Sequence, residues 1–241
     1  MGTDIHLHVE KYNEQTGKWE WVKECPEQFR NPWYKEMRDS GKSAYYETAY
    51  RQSFYSDRCY DAFAVLAGVR NGFGFAGCET GEGFTPISEP RGLPDDLSEE
   101  LRQVRHRYEY DDTEIHTDFG DHSQSWVTLA ELQAVDWEAK YQKTGVVAYS
   151  HWKPTEIPEE YCGGVTGRGI VVMDGRDPRD VEIIRKKAEG YQKDGLHVYV
   201  KVQWYETVGD LVGSLKTRLI PALESLGGKP EHTRIVFGFD S

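Results

Sequence analysis

Cysteine is scarce in this chain: Cys25, Cys59, Cys78 and Cys162 are the only four in 241 residues, widely spaced and with no Cys-x-x-Cys pair. That argues against a disulfide framework and leads us to expect four reduced thiols in a cytosolic setting. Basic residues are also in short supply, 29 Lys and Arg against 41 Asp and Glu, for a net charge of −12. A chain of that sign is not built for general binding to duplex nucleic acid, which needs a basic surface. A small anionic ligand in a local basic pocket stays open. No run approaches the roughly 18 apolar residues of a membrane helix, so no membrane partner is expected. No charged-then-apolar leader opens the chain, so no secretion signal is expected. Gly2 does not complete a myristoylation signal, because His6 stands where Ser or Thr is required. The chain has no internal repeat, nucleophile elbow, phosphate loop or Cys–His signature.

Aromatic residues, by contrast, are abundant, with 7 Trp, 15 Tyr and 9 Phe. They supply burial, and some can act as stacking platforms. The most informative stretch is the first ten residues. Polar and apolar residues alternate there as on a strand, so Ile5, Leu7 and Val9 share one face, and Asp4, His6, His8 and Glu10 share the other. His6 and His8, at i and i+2, can reach one cation, with Asp4 or Glu10 adding oxygen. The same row can equally wall a polar ligand pocket or form a wet face. A metal-hydrolase barrel, which also carries His-x-His on its first strand, is not supported, since eight strand–helix repeats are missing.

Residues 3–11 and 18–23 read as a hairpin about the turn 13–17. The segment 26–56 is polar and aromatic without a sustained period and reads as an insertion or flap. A helix is expected over 57–69, capped by Asp57, followed by a Gly- and Pro-rich loop over 70–96. Residues 98–109 read as a helix and 110–126 as an acidic, His-bearing loop. Thr128 and Glu131 form a capping box for a short helix over 129–136. Strands are expected at 145–152, 169–173 and 196–206, and a helix at 178–193 with Asp177 as cap. The strongest helix signal covers 207–226, and Thr233 to Asp240 closes the chain as a strand. Together these imply one α+β (mixed α/β) domain over 1–241, with a single sheet recruiting both termini, helices on it and long loop insertions.

Gly72-Phe-Gly74-Phe-Ala-Gly77 matches a dinucleotide fingerprint by letter, but a helix precedes it and a loop follows, so a lid is the better reading. A second polar cluster holds His116, Asp118, Asp121, His122, Ser125 and Trp126. If it meets the first strand, it can hold a metal-activated water and a base. It can also hydrogen-bond ribose and phosphate, with Trp126 stacking on a base. Arg70-Asn71 closes the first helix. Arg91, between Pro90 and Pro94, is either a phosphate anchor or a partner of Glu89 or Asp95.

Five stretches then stand together: 2–10, 63–71, 87–96, 121–132 and 234–240. They resemble a group of small proteins of tailed bacteriophages and prophages that begin Met-Gly-x-Asp-Ile-His. The resemblance implies a phage accessory protein acting in the host bacterial cytoplasm against host defence. One class of such proteins sequesters nucleotide second messengers, such as cyclic oligonucleotides or cyclic ADP-ribose derivatives, and another degrades them.

The first reading is therefore a cofactor-free binding protein, probed at Asp4, His6, Arg70, Asn71, Arg91, His122, Ser125 and Trp126. Its Arg residues would meet phosphate, Asp4, His6 and Ser125 hydroxyls, and Trp126 the base, and it would form a homo-oligomer. The alternative is a phosphodiesterase holding a divalent metal on Asp4, His6, His8, Asp121 and His122, with Glu10 as base. A third reading is an acidic module that inhibits a host protein through its clusters at 95–100 and 109–121.

Overall fold

The amino-terminal alternation builds the expected hairpin. β1 (Asp4–Asn13) and β2 (Lys18–Trp21) pair antiparallel, from Glu10 opposite Trp21 to Asn13 opposite Lys18. Asn13 shapes the turn, its Oδ1 accepting from the N–H groups of Gln15 and Thr16, and Gly17 takes the positive φ. The computed structural model describes residues 2–41, 45–103 and 119–240. In order, the hairpin is followed by α1 (Pro32–Asp39), α2 (Tyr45–Gln52), α3 (Tyr60–Ala67), α4 (Glu99–Arg102), β3 (His122–Thr128) and α5 (Leu129–Gln133). Then come β4 (Lys140–Ala148), β5 (Ile170–Asp174), α6 (Val181–Lys193), β6 (His197–Thr207), α7 (Val208–Leu211), α8 (Ile220–Ser225) and β7 (Thr233–Asp240).

The protein is a mixed α+β chain, and the sheet that recruits both termini is present. The segment 1–241, read from sequence as one domain, divides into two compact units: Met1–Val69 with Thr85–Asp136 and Val212–Ser241, and Arg70–Phe84 with Trp137–Leu211. The Gly- and Pro-rich stretch 70–96 is shared out between them.

In the first unit the strand order is β2-β1-β7-β3, every pair antiparallel. β7 lies between β1 and β3, and its Ile235, Val236, Phe237 and Phe239 are fully buried. Burying each such side chain contributes about 1.5–3 kcal/mol. On one face Ile5 stands opposite Phe239, and Phe63 of α3 packs 5.0 Å from the Phe239 ring. On the other, Val236 packs with Leu97, Leu101 and Phe119, joined by Trp21, Leu93 and Trp126.

In the second unit, β4 and β5 flank β6, the first antiparallel and the second parallel. The expectation of a single sheet is corrected here. β4 pairs along nearly the whole of β6, from Lys140–Thr207 to Ala148–Tyr199, and the β5–α6–β6 crossover fills the other side. β6 is paired on both sides, and the outer edge of β4 bonds Thr80, Glu82 and Cys162.

Other expectations change locally. The 26–56 segment forms α1 and α2, with Asn31 capping α1 through Trp33 N and Pro32 at its first position. Trp33, Tyr34 and Tyr46 pack ring on ring between them. Asp57 does not cap α3, because its carboxylate bonds Ser214 and Arg218 instead. Within 98–109 only α4 falls in the described part as helix. Residues 104–118, including His116 and Asp118, lie outside the described residues. The supposed loop over 110–126 ends in β3.

The 207–226 helix is broken. Gly213 takes φ +54° after α7, and Leu215–Leu219 form a π turn before α8. Pro221 has no N–H to offer the preceding turn, which favours that widening. Its apolar stripe is still buried at Val208, Val212, Leu215, Leu219 and Leu223.

Candidate functional site

The polar row of β1 divides into a buried end and an open end. Glu10 is fully buried: its Oε2 accepts from Arg234 Nε (2.8 Å) and Nη2 (2.7 Å), and its Oε1 from Ser98 N–H (2.7 Å). Arg234 also donates through Nη1 to Asp96 (2.7 Å) and stacks 3.9 Å over Trp19. Both oxygens of the candidate base are thus engaged, Oε2 in joining β1 to β7 and Oε1 in holding the start of α4. His8 is nearly buried and meets Phe119 and Trp21 edge-on at 5.0 and 5.8 Å, the setting of a core histidine.

At the open end, His6 Nε2 lies 3.0 Å from Asp240 Oδ2, and Asp4 donates its N–H to Asp240 Oδ1 (3.1 Å). Arg58 grips the Asp4 carboxylate through Nε (2.7 Å) and Nη2 (2.5 Å). Neither Arg58 nor Asp240 was singled out in sequence, since their pairing arises only when the strand register is set. Partial burial works to raise the Asp240 pKa, but the bonds from His6 and Asp4 N–H outweigh it and leave the carboxyl below its usual value. A folded pKa below the unfolded one gives stability that is present above the unfolded value of about 3.9 and lost as pH falls through the folded one. Chemical denaturation between neutral pH and about pH 3 is expected to show this loss, with a shallower fall in Asp240→Asn. An equal fall in both proteins would remove Asp240 from the account.

β3 carries an irregularity that decides its faces. Its register shifts between His122 and Ser125, and Ser123 takes φ +50°. His122 consequently stacks on Phe239 (6.0 Å, 27°), on the Ile5 side of the sheet, with Nδ1 3.0 Å from Ser123 Oγ. His6 and His8 project from the opposite side. The set Asp4, His6, His8, Asp121 and His122 therefore does not converge. Among the described residues, no three His, Cys, Asp or Glu side chains form a group able to hold a metal ion.

Arg91, Ser125 and Trp126 do come together. Ser125 Oγ accepts from Arg91 N–H (3.2 Å), and the Arg91 guanidinium lies 4.8 Å over the Trp126 ring and donates to its carbonyl (3.2 Å). Arg91 also forks onto Glu131 at 2.6 and 3.2 Å, and Glu131 closes the α5 capping box with Thr128. The ion-pair reading of Arg91 holds, but its partner is Glu131 and not Glu89 or Asp95. Arg70 and Asn71 belong to the second unit, where Asn71 bonds both the N–H and the carbonyl of Phe84.

The opening in the first unit lies along β1. β2 pairs with β1 only at Glu10–Asn13, and residues 5–9 border a cavity of about 130 Å3. Its other wall is the Tyr-rich segment, with Tyr34, Tyr45, Thr48 and Tyr55. Tyr34 donates to Ser56 Oγ (2.9 Å). Tyr55 is 2% exposed, and its hydroxyl has no partner among the described residues. Burial pushes its phenol well above the usual range. The Tyr run is visible in the sequence as composition, but nothing local says that it faces His6 and His8. No family model matches the chain, and neither a curated protein nor a solved structure matches it. Among the described residues no helix is long and apolar enough to cross a membrane.

Proposed function

We propose that this is a phage accessory protein that binds and sequesters a small nucleotide-derived signalling molecule in the host bacterial cytoplasm. The observation that carries the reading is the cavity between the His6–His8 row and Tyr34, Tyr45 and Tyr55. Its volume is near the roughly 150 Å3 that accepts a single aromatic ring. Rings and hydroxyls together suit a base with polar edges. Arg58 is forked onto the Asp4 carboxylate, so the rings and hydroxyls of the cavity carry the recognition. Binding is favoured over hydrolysis because Glu10, the candidate base, is locked by Arg234 and Ser98.

The test is calorimetric titration with a cyclic dinucleotide and with cyclic ADP-ribose, followed by heat release and analysis of the ligand. Saturable binding and recovery of intact ligand are expected. Thr48→Trp, which fills the cavity from α2, is expected to weaken binding by about a hundredfold, a loss near 2.7 kcal/mol. Recovery of cleaved product would replace this reading with the phosphodiesterase. Binding that is unchanged in Thr48→Trp would remove the cavity from it.

A further inference from the structure

The edge of a sheet presents a row of unpaired N–H and C=O groups, and proteins usually blunt it. Several edges of this chain are blunted. Segments about Thr80 and Cys162 bond the outer side of β4, and Gly92 N–H bonds the Gln124 carbonyl on β3. β2 is only four residues long and carries Lys18 and Glu20. β5 is the outer strand of its sheet and has none of these devices. Its sequence, Ile-Val-Val-Met-Asp, holds no Pro or Lys, and its one charge, Asp174, is already gripped by Arg176 Nε (2.9 Å) and Nη2 (2.6 Å). Val172, at its centre, is 45% exposed.

The bonds at the two ends of β5 show which way its backbone groups point. Gly169 C=O accepts from His197 N–H, and Gly175 N–H donates to Lys201 C=O, both in β6. Alternate residues of a strand direct these groups to the same side, so Val171 and Met173 spend theirs on β6. Those of Ile170, Val172 and Asp174 point outward. Ile170 N–H turns back to the Gly167 carbonyl (3.4 Å). No strand pairs with the remaining outward groups, and no other backbone bond reaches them among the described residues.

That set of groups matches its own copy. When two β5 strands lie antiparallel about a two-fold axis at Val172, each Val172 N–H meets the other Val172 C=O. Each Asp174 N–H then meets the other copy's Ile170 C=O. Val171 falls opposite the other copy's Met173, apolar against apolar, and neither Asp174 faces its like. We propose that β5 is the edge at which two copies of this chain join into one continuous sheet, in the order β4-β6-β5-β5-β6-β4. This interface does not rest on the nucleotide reading.

Sedimentation equilibrium of the full chain from about 5 to 500 µM reads the association, which an interface this narrow makes weak. A monomer–dimer equilibrium with a Kd of roughly 100 µM is expected. Val172→Lys places an ammonium group at an exposed position and is expected to weaken dimerisation at least about tenfold, with the melting temperature unchanged. Tyr205→Lys, exposed on β6 beyond the part that β5 covers, is expected to leave dimerisation as it is. Hydrogen exchange needs no variant. Raising the concentration is expected to slow the amides of Val172 and Asp174 and to leave those of Val171 and Met173, already bonded to β6, unaltered. A chain still monomeric at the highest concentration leaves this edge to some other partner and overturns the proposal. A dimer undiminished in Val172→Lys overturns it too, as does one in which the Val172 amide exchanges as fast as in the monomer.

Discussion

Arg234→Met is expected to cost about 3–5 kcal/mol of stability, because it leaves a carboxylate charged and buried without its cation. Glu10 has no exposure, and Arg234 is 2% exposed, so water cannot take over the lost bonds. The guanidinium also carries Asp96 and the face of Trp19, which tie the 95–98 segment to the hairpin. Much of the loss comes from stranding Glu10 and not from the intrinsic strength of the pair. Glu10→Met combined with Arg234→Met is therefore expected to recover most of it, leaving mainly the unmet Ser98 N–H. Urea denaturation of the two single variants and the double variant measures this. A single-variant cost below about 1 kcal/mol would mean that the pair is screened in solution.

Gly238→Ala is the second large effect. The new Cβ would fall on the backbone carbonyl oxygen of Phe119, a group that cannot swing aside as a side-chain tip would. Gly120 meets the Phe239 backbone with the same closeness, and Asp121 N–H bonds the Phe239 carbonyl at 2.8 Å. The 119–121 segment is thus laid directly on β7, and one methyl group must pry it off. A cost of about 3 kcal/mol or more is expected, at the upper end for overpacking. Gly190→Ala is the control. It lies within α6 with nothing within 4 Å of its added carbon, and should stabilise by about 0.5–1 kcal/mol. Equal behaviour of the two variants would contradict the close approach at β7.

These residues also mark what could be read from the sequence. The hairpin, β6, β7 and the Thr128–Glu131 capping box were legible, because each rests on spacing within one segment. The α1–α2 pair was not. Its helices are eight residues each, and rings occur on more than one side, so no period builds up. The row Asp4, His6, His8 and Glu10 was correctly given one face, but its division into a locked end and an open end depends on Arg234 and Asp240, more than two hundred residues away. The face on which His122 stands is set by a single residue, Ser123, whose positive φ turns the strand over. A non-glycine residue gives no warning of that conformation.

The order of strands has a consequence for how the first unit is made. β1 and β3 do not touch as a pair, and each hydrogen-bonds to β7, with Asp4 and Asp240 separated by 236 positions. A ribosome delivers both flanking strands well before the one that joins them. Until then Ile5, Leu7 and Val127 have no completed sheet to close over, and the waiting hairpin exposes an adhesive edge. Assembly of this unit is accordingly a long-range event, slow by topology, that waits for β7 to be made.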